Sequence, residues 1–357
     1  MKKRNLIIAN TYFQLITAIN LALNNLSKDI NDIVVTDCSI GMDEKIDLIK
    51  KNNLFENVYF FESRKLINDK KVKKYLNYLF NRKKILNNRI NNFYDEIIFY
   101  NLDILCYSLI DELYKNNKRL ICSRYDEGFS TYTIDRKNNK INDILRFLLF
   151  KKNINKSIKK IYLYHPELLC YKTNYKIKKI PNIDKKNLQL KESLNSIFNY
   201  KEYNFKQKYI FFEESFFCDN KGIEDYDLIM NIVEIVGKEN LIIKLHPRNR
   251  VDRFSEQGIK VWESTGIPWE IYQMNEDYSN KIFMTISSGS ILASKLYFDE
   301  NIESYFLFNC TKKMSDMVTC NFYKYLDLMK QNNIFDSIKI PKNDKAFYSI
   351  LEERNNE

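Results

Sequence analysis

Glycine and proline are scarce in this chain, with seven Gly and five Pro among 357 residues. That scarcity argues against collagen-like, linker-rich and turn-repeat architectures, and for long regular elements joined by polar loops. Histidine is scarcer still, at two residues, which excludes a His-rich metal site. The seven cysteines, at 38, 106, 122, 170, 218, 310 and 320, are odd in number and include no Cys-x-x-Cys pair. A zinc ribbon and a complete disulfide framework are therefore not expected, and seven reduced, mostly buried thiols in a cytoplasm are. No run of eighteen apolar residues occurs, so no membrane-spanning helix is expected. Lys2, Lys3 and Arg4 precede an apolar stretch as in a signal peptide, but Asn10, Gln14 and Asn20 interrupt it and no small-residue cleavage site follows. The mature protein is expected to begin near Met1 and to stay inside the cell. The chain also lacks G-x-G-x-x-G, G-x-x-x-x-G-K-[ST] and G-x-S-x-G, the signatures of dinucleotide binding, P-loop phosphoryl transfer and serine hydrolysis.

What is present is a packed, patterned chain. Apolar residues make up 45% and charged residues 29%, and 24 Phe with 25 Tyr supply ample core surface. Apolar runs at Leu6–Ala9, Asp32–Thr36, Asn57–Phe61, Glu96–Tyr100, Arg119–Arg124 and Lys160–Tyr164 read as strands. Between them Thr11–Leu23, Met42–Lys51 and a Lys- and Asn-rich region ending near Asn92 read as helices. The polar stretch 184–208 reads as a linker, after which the alternation restarts. Strands are expected at Tyr209–Glu213, Leu241–Leu245, Ile259–Trp262, Ile282–Ser287 and Ser304–Phe308, and helices at Tyr226–Val236, Pro268–Met274 and Ser290–Tyr297. An amphipathic, helical remainder follows Met314. Alternation of this kind predicts parallel α/β sheets covered on both faces. The expected organisation is a Rossmann-like domain over 1–190, a linker over 191–207, a second Rossmann-like domain over 208–335 and a helical tail over 336–357, with a cleft between the two domains.

Ligands of such sheets bind beyond the carboxyl ends of the strands, so the residues just after each strand are the candidates. Lys244-Leu245-His246-Pro247-Arg248 ends a strand with an imidazole between cations; His246 is either an acid–base or donor group or a solvent-facing residue before a turn. His165-Pro166 has the same dipeptide, and its structural reading is favoured. Ser287-Ser288-Gly289-Ser290 closes a strand and opens a helix, which suits either a phosphate site or an ordinary serine cap. Glu270 opens a helix after Pro268 and could clasp ribose hydroxyls or simply complement the helix dipole. Asp126-Glu127-Gly128 is either a turn or a carboxylate placed as a general base. Asp225-Tyr226-Asp227 has the spacing of a metal-holding pair, but it falls at a helix start, where acids are common.

Taken together, these motifs resemble the bacterial sialyltransferases of GT-B fold, most closely glycosyltransferase family 52, whose members include lipooligosaccharide and capsule sialyltransferases. The acid-acid-Gly motif is present as Asp126-Glu127-Gly128, the His-Pro motif as His246-Pro247 and the paired serines as Ser287-Ser288, in that order. Glu270 lies 24 residues after His246 and 17 before Ser287. The opening Asn5–Gln14 also resembles the family's first strand and turn, with Thr11 and Gln14 in it. The resemblance implies an inverting, metal-independent transfer of sialic acid from CMP-sialic acid to a glycan hydroxyl, with galactose the favoured acceptor, and no cofactor. Asp126 would be the base, with Asp219 of the loop Glu213–Asp219 as its rival. His246, Lys244, Pro247, Ser287 and Ser288 would meet the leaving phosphate, Glu270 the ribose, and Glu127, Gly128, Thr11 and Gln14 the substrates.

The net charge of +11, concentrated in Lys73–Arg89 and Lys151–Lys186, suits attachment to the anionic inner face of the plasma membrane. Nucleic-acid binding is disfavoured, because the basic runs carry no recognised motif and accompany Asn in place of interleaved Arg and Gly. Two other readings remain open: a GT-B enzyme using another nucleotide sugar, and an inactive membrane-surface protein of the same fold. A homodimer is compatible with either.

Overall fold

The structure, a computed structural model, describes residues 2–64, 90, 93–135, 157–223, 225–249, 251–263 and 266–355. The chain divides into two compact units, Met1–Tyr200 and Lys201–Glu357. The expected helical region before Asn92 and the basic run Lys73–Arg89 lie almost wholly outside the described residues, as does the start of the run from Lys151.

In the first unit β1 (Arg4–Ala9), β2 (Ile30–Thr36), β3 (Val58–Phe61), β4 (Glu96–Phe99), β5 (Ile121–Tyr125), β6 (Ile158–Leu163) and β7 (Lys176–Lys179) form one parallel sheet. Its order is β3-β2-β1-β4-β5-β6-β7. The helices described are α1 (Tyr12–Leu23), α2 (Ile46–Lys51), α3 (Ile104–Asn116), α4 (Phe129–Thr133) and α5 (Leu188–Phe198). Leu6-Ile7-Ile8-Ala9 and Ile33-Val34-Val35 are almost wholly buried. Unbroken apolar runs are what a parallel sheet covered on both faces requires.

In the second unit β8 (Tyr209–Phe212), β9 (Leu241–Lys244), β10 (Lys260–Trp262), β11 (Ile282–Thr285), β12 (Ser304–Phe306) and β13 (Ile338–Lys339) form a second parallel sheet, ordered β10-β9-β8-β11-β12-β13. Its helices are α6 (Asp225–Val236), α7 (Trp269–Asn275), α8 (Ser290–Phe298), α9 (Lys312–Met317), α10 (Cys320–Gln331) and α11 (Asp344–Asn355). The strand order reverses between β1 and β4 in one unit and between β8 and β11 in the other, the two places where doubly wound sheets open a crevice.

Three segments differ from the sequence reading. The expected linker over 191–207 contains most of α5, because Asn187 caps the helix by accepting from the Leu190 N–H at 3.0 Å and Leu190, Leu194 and Ile197 bury one face. The expected helical tail over 336–357 is part of the second unit: β13 pairs with β12, and Phe347 and Leu351 of α11 are fully buried. Strand β7, Lys176–Lys179, is exposed along its length and carries no apolar run to reveal it. The thiols are also less sheltered than expected: all seven are free, but Cys218 and Cys320 are exposed and Cys38 and Cys310 only half-buried.

Charge is concentrated at the amino edge of the first sheet. Asp32, fully buried, accepts from the Arg4 guanidinium at 3.0 Å, the Asn57 N–H at 3.0 Å and the Tyr94 hydroxyl at 2.5 Å. Glu96, also buried, accepts from Lys160 at 2.5 Å, Ser123 at 2.6 Å and Tyr162 at 3.1 Å. These bonds lock neighbouring strands in register and leave the carboxyl edge free for function. Removing one partner of a buried ion pair leaves the other unpaired, so Asp32→Ala should destabilise the fold by about 3–5 kcal/mol in denaturant unfolding. A loss under ~1 kcal/mol would show that Asp32 does not hold this edge.

Candidate functional site

The carboxyl edge of the second sheet brings four loops together. The chain leaves β8 into Glu213-Glu214, β9 into Leu245-His246-Pro247, and β11 into Ile286-Ser287-Ser288 before α8, while the segment after β10 leads to Glu270 in the first turn of α7. Glu214 occupies the crevice between β8 and β11. Its Oε1 accepts the N–H of Ser288 at 2.9 Å and that of Ser287 in a shorter contact, and the Thr285 hydroxyl lies 2.7 Å away. Burial pushes the Glu214 carboxyl up to about 7, against the opposing pull of these donors. The backbone amides expected to meet a phosphate are therefore held by a carboxylate, while the Ser287 hydroxyl forms no hydrogen bond among the described residues.

His246 is half-buried on the turn after β9. Its N–H approaches Glu213 Oε2 at 3.3 Å, and its ring Nδ1 accepts the Arg248 N–H at 3.2 Å. That bond assigns the ring proton to Nε2, which leaves Nε2–H as a donor. Burial first, then the Arg248 and Lys244 charges, push the imidazole down to about 4, with Asp219 opposing. The ring is thus neutral at pH 7. Pro247 is exposed and fixes the turn. Lys244 ends β9 with its Nζ 4.7 Å from the centre of the Trp262 ring and 5.8 Å from that of Tyr272. Burial lowers it to about 8, and the Glu270 charge works in the other direction. Glu270 in turn is raised by burial and drawn back by its own N–H and by Lys244. Lys244, at the end of β9, and Glu270, in the first turn of α7, are opposite charges that act on each other.

Beneath the His246 turn, Arg253 donates to Glu213 at 2.6 Å and to Asp225 at 2.8 Å and stacks 4.6 Å from the centre of Phe217. Asp225 is thereby a buried acid held in an ion pair with Arg253. No group of three or more His, Cys, Asp or Glu among the described residues could hold a metal ion. Asp219 accepts from the Ser215 hydroxyl at 2.8 Å and from Arg248 at 3.0 Å. The Ser215 hydroxyl and the Arg248 charge hold its carboxyl below the usual range, which makes it a weaker base than an ordinary aspartate.

In the first unit Asp126 follows directly on β5 but points inward and is fully buried. Its Oδ1 accepts the Gly128 N–H at 2.7 Å, and its Oδ2 accepts the Tyr164 N–H at 3.1 Å and the Tyr132 hydroxyl at short range. Burial raises it to about 6, although all three donors and the His165 charge pull the other way. Gly128 has φ +90°, a conformation that a side chain would strain, so the acid-acid-Gly turn needs glycine here. Glu127 is half-buried and accepts from the Thr11 hydroxyl at 3.2 Å. Thr11 also caps α1. Gln14, expected to meet substrate, is instead buried: its carbonyl oxygen accepts the Asn10 N–H at 2.8 Å and the Tyr125 hydroxyl at 3.3 Å. It shapes the β1–α1 turn. His165 is buried with Nδ1 2.8 Å from Glu167, and so is not the solvent-facing residue of its structural reading.

The family model described as alpha-2,8-polysialyltransferase (POLYST) matches residues 5–316. The chain belongs to this family. No curated protein matches it in sequence. Solved structures of similar fold include the glycotransferase of kitacinnamycin, at 8% identity over 99% of this chain and 90% of that one, with a TM-score of 0.55. The spinosyn forosaminyltransferase SpnP is similar at 6% identity over 99% and 90%, TM-score 0.55. A UDP-N-acetylglucosamine 2-epimerase is similar at 11% identity over 99% and 87%, TM-score 0.53. Such identities speak for the fold alone, and the fold is GT-B. Family and fold together make this a sialyltransferase-like glycosyltransferase; the narrower likeness to family 52 remains a resemblance.

Within this polysialyltransferase-family fold, the second unit gathers Lys244, His246, Pro247, Glu270, Ser287 and Ser288 along one sheet edge, with Asp219 linked to the group through Arg248. The first unit gathers Thr11, Asp126, Glu127 and Gly128. Sequence reasoning missed Glu214. The available signal was its place as the second residue beyond β8, at the point where the strand order reverses. The chain has only two histidines, so the protonation of His246 is directly readable. Nitrogen-detected NMR should show His246 as the Nε2–H tautomer titrating near pH 4. A midpoint between 6 and 7 would contradict the neutral imidazole.

Proposed function

We propose that the chain transfers sialic acid from CMP-sialic acid to a glycan hydroxyl with inversion at the anomeric carbon. The observation that carries this reading is the sheet edge built from His246, Ser287 and Ser288, in a chain whose residues 5–316 match the polysialyltransferase family. The acceptor would be a lipooligosaccharide or capsule glycan. The family's description favours a sialic acid hydroxyl over the galactose suggested by the family 52 resemblance. The net charge of +11 supports both an anionic acceptor and peripheral attachment to an anionic membrane surface. No helix among the described residues is long and apolar enough to cross a membrane.

In this mechanism the bond from the anomeric carbon to the phosphate oxygen breaks as the acceptor oxygen bonds to the same carbon from the opposite face. The acceptor proton passes to a carboxylate, and the leaving CMP carries the developing charge. His246 is suited to meet that charge: a neutral imidazole with a free Nε2–H donates to the phosphate and gains proton affinity as the charge grows. The Ser287 hydroxyl adds a second donor. Lys244 offers positive charge beside Glu270, whose carboxylate would hold the ribose hydroxyls. For the base we keep Asp126. Its carboxyl, raised to about 6, lies nearer the working pH than that of Asp219, which is lowered. The acceptor hydroxyl would replace the Tyr132 hydroxyl as donor to Oδ2. Glu127, bonded to Thr11, would orient the acceptor.

A panel of variants tests these roles. His246→Ala should lower turnover roughly 10²–10⁴-fold, while His165→Ala changes it little. Asp126→Asn should depress turnover and leave CMP affinity nearly unchanged, with Glu127→Gln milder. Thermal unfolding controls for the bonds that Asp126 makes. Equal effects of the two histidines would overturn the donor assignment. Loss of turnover in Asp219→Asn with Asp126→Asn still active would move the base to the second unit.

A further inference from the structure

We propose that Glu214 is the positioning residue of the donor seat, holding the Ser287–Ser288 turn in shape from within, and that it takes up a proton when the nucleotide phosphate binds beside it. The inference rests on the reading of that turn as the phosphate seat. Its geometric basis is the arrangement at the β8–β11 crevice. Two consecutive backbone N–H groups converge on Glu214 Oε1, the arrangement an incoming phosphate oxygen would otherwise accept. The other oxygen, Oε2, is buried with no hydrogen-bond partner, and Glu214 forms no salt bridge among the described residues. The Thr285 hydroxyl lies 2.7 Å from Oε1 and 3.0 Å from the Phe212 carbonyl oxygen. One hydroxyl proton cannot serve two acceptors, so one contact lacks a proton unless the carboxyl carries it.

The charges around Glu214 point the same way. Asp225 of α6 repels its anion, and the neighbouring cation, Arg253, is already engaged by Glu213 and Asp225. His246 after β9 is neutral at pH 7, and the turn after β11 contributes only hydroxyls and amides. A phosphodiester arriving at Ser287 would be a further anion against a carboxylate that already lacks a cation. The cheapest response is protonation of the carboxyl, which lies within reach because its free value is about 7. Linkage then runs both ways: anion binding raises the proton affinity of Glu214, and loss of that proton at higher pH weakens anion binding.

The test is calorimetry with CMP-3-fluorosialic acid, whose fluorine disfavours the oxocarbenium ion and whose phosphodiester does not titrate near neutrality. Titrations at pH 7.5 in buffers of different ionisation enthalpy should show uptake of more than about half a proton per ligand by the wild type. Its affinity should fall toward about tenfold per pH unit between pH 8 and 9. Glu214→Gln keeps an oxygen for both amides and should bind with uptake cut to the smaller share that Lys244, itself lowered to about 8, can supply, and with a correspondingly shallower fall in affinity over the same range; thermal unfolding checks that it is folded. Uptake in Glu214→Gln equal to that of the wild type, or binding by the wild type without uptake, overturns the role of Glu214 and leaves the donor reading standing. Failure of the wild type to bind the probe at any pH overturns the donor reading and this inference together.

Discussion

One carboxylate oxygen organises the second unit's functional edge. Oε1 of Glu214 draws in the amides of Ser287 and Ser288 and ties the end of β8 to the end of β11. The Thr285 hydroxyl, 3.0 Å from the Phe212 carbonyl oxygen, reinforces the same tie. With it, the serine turn leads into α8 at a set angle, and the loops after β8, β9 and β11 share one edge. Parallel pairing is the underlying constraint: it sends every carboxyl end the same way and gathers residues far apart in sequence.

The two sheet edges are chemically unlike. At the amino edge of the first sheet, Asp32 and Glu96 sit among cations and hydroxyls that satisfy them. At the carboxyl edges, charges are held against their preference. Asp126 and Glu214 are raised by burial, and His246 and Lys244 are lowered by it. Groups perturbed in this way gather at sites where protons and charge are handled. A phosphate at His246 would favour its protonated form, and the same phosphate would disfavour the Glu214 anion.

Much of the fold was legible because buried parallel strands write themselves as apolar runs. Leu6–Ala9, Leu241–Leu245 and Ile282–Ser287 are examples, each within two residues of its observed bounds. Strand β7 was not legible: Lys-Ile-Lys-Lys lies exposed, so no apolar run marks it. Helix α5 hid in a polar stretch because only one face is buried and its amphipathic spacing is diluted by Lys and Asn. At the site, residue types at strand ends pointed to His246, Glu270 and the serine pair. The direction in which Asp126 and Gln14 point could not be read, because inward and outward residues at a turn have the same sequence. Glu214 was passed over because two adjacent glutamates look alike in sequence; only the crevice tells that one pairs with Arg253 and the other with amides.

Fold alone does not choose the reaction: a UDP-N-acetylglucosamine 2-epimerase, the kitacinnamycin glycotransferase and the spinosyn forosaminyltransferase share this architecture at 6–11% identity. The family match narrows the choice to a sialyltransferase-like glycosyl transfer, and the CMP-linked donor on the second unit is the proposal to be tested. The most direct test is thermal unfolding of the intact chain with CMP-sialic acid beside UDP- and GDP-sugars. At about 100 times its dissociation constant, CMP-sialic acid should stabilise the protein by about 2.7 kcal/mol, and the other nucleotides should leave the transition in place. Stabilisation by a UDP- or GDP-sugar with none by CMP-sialic acid would contradict the account.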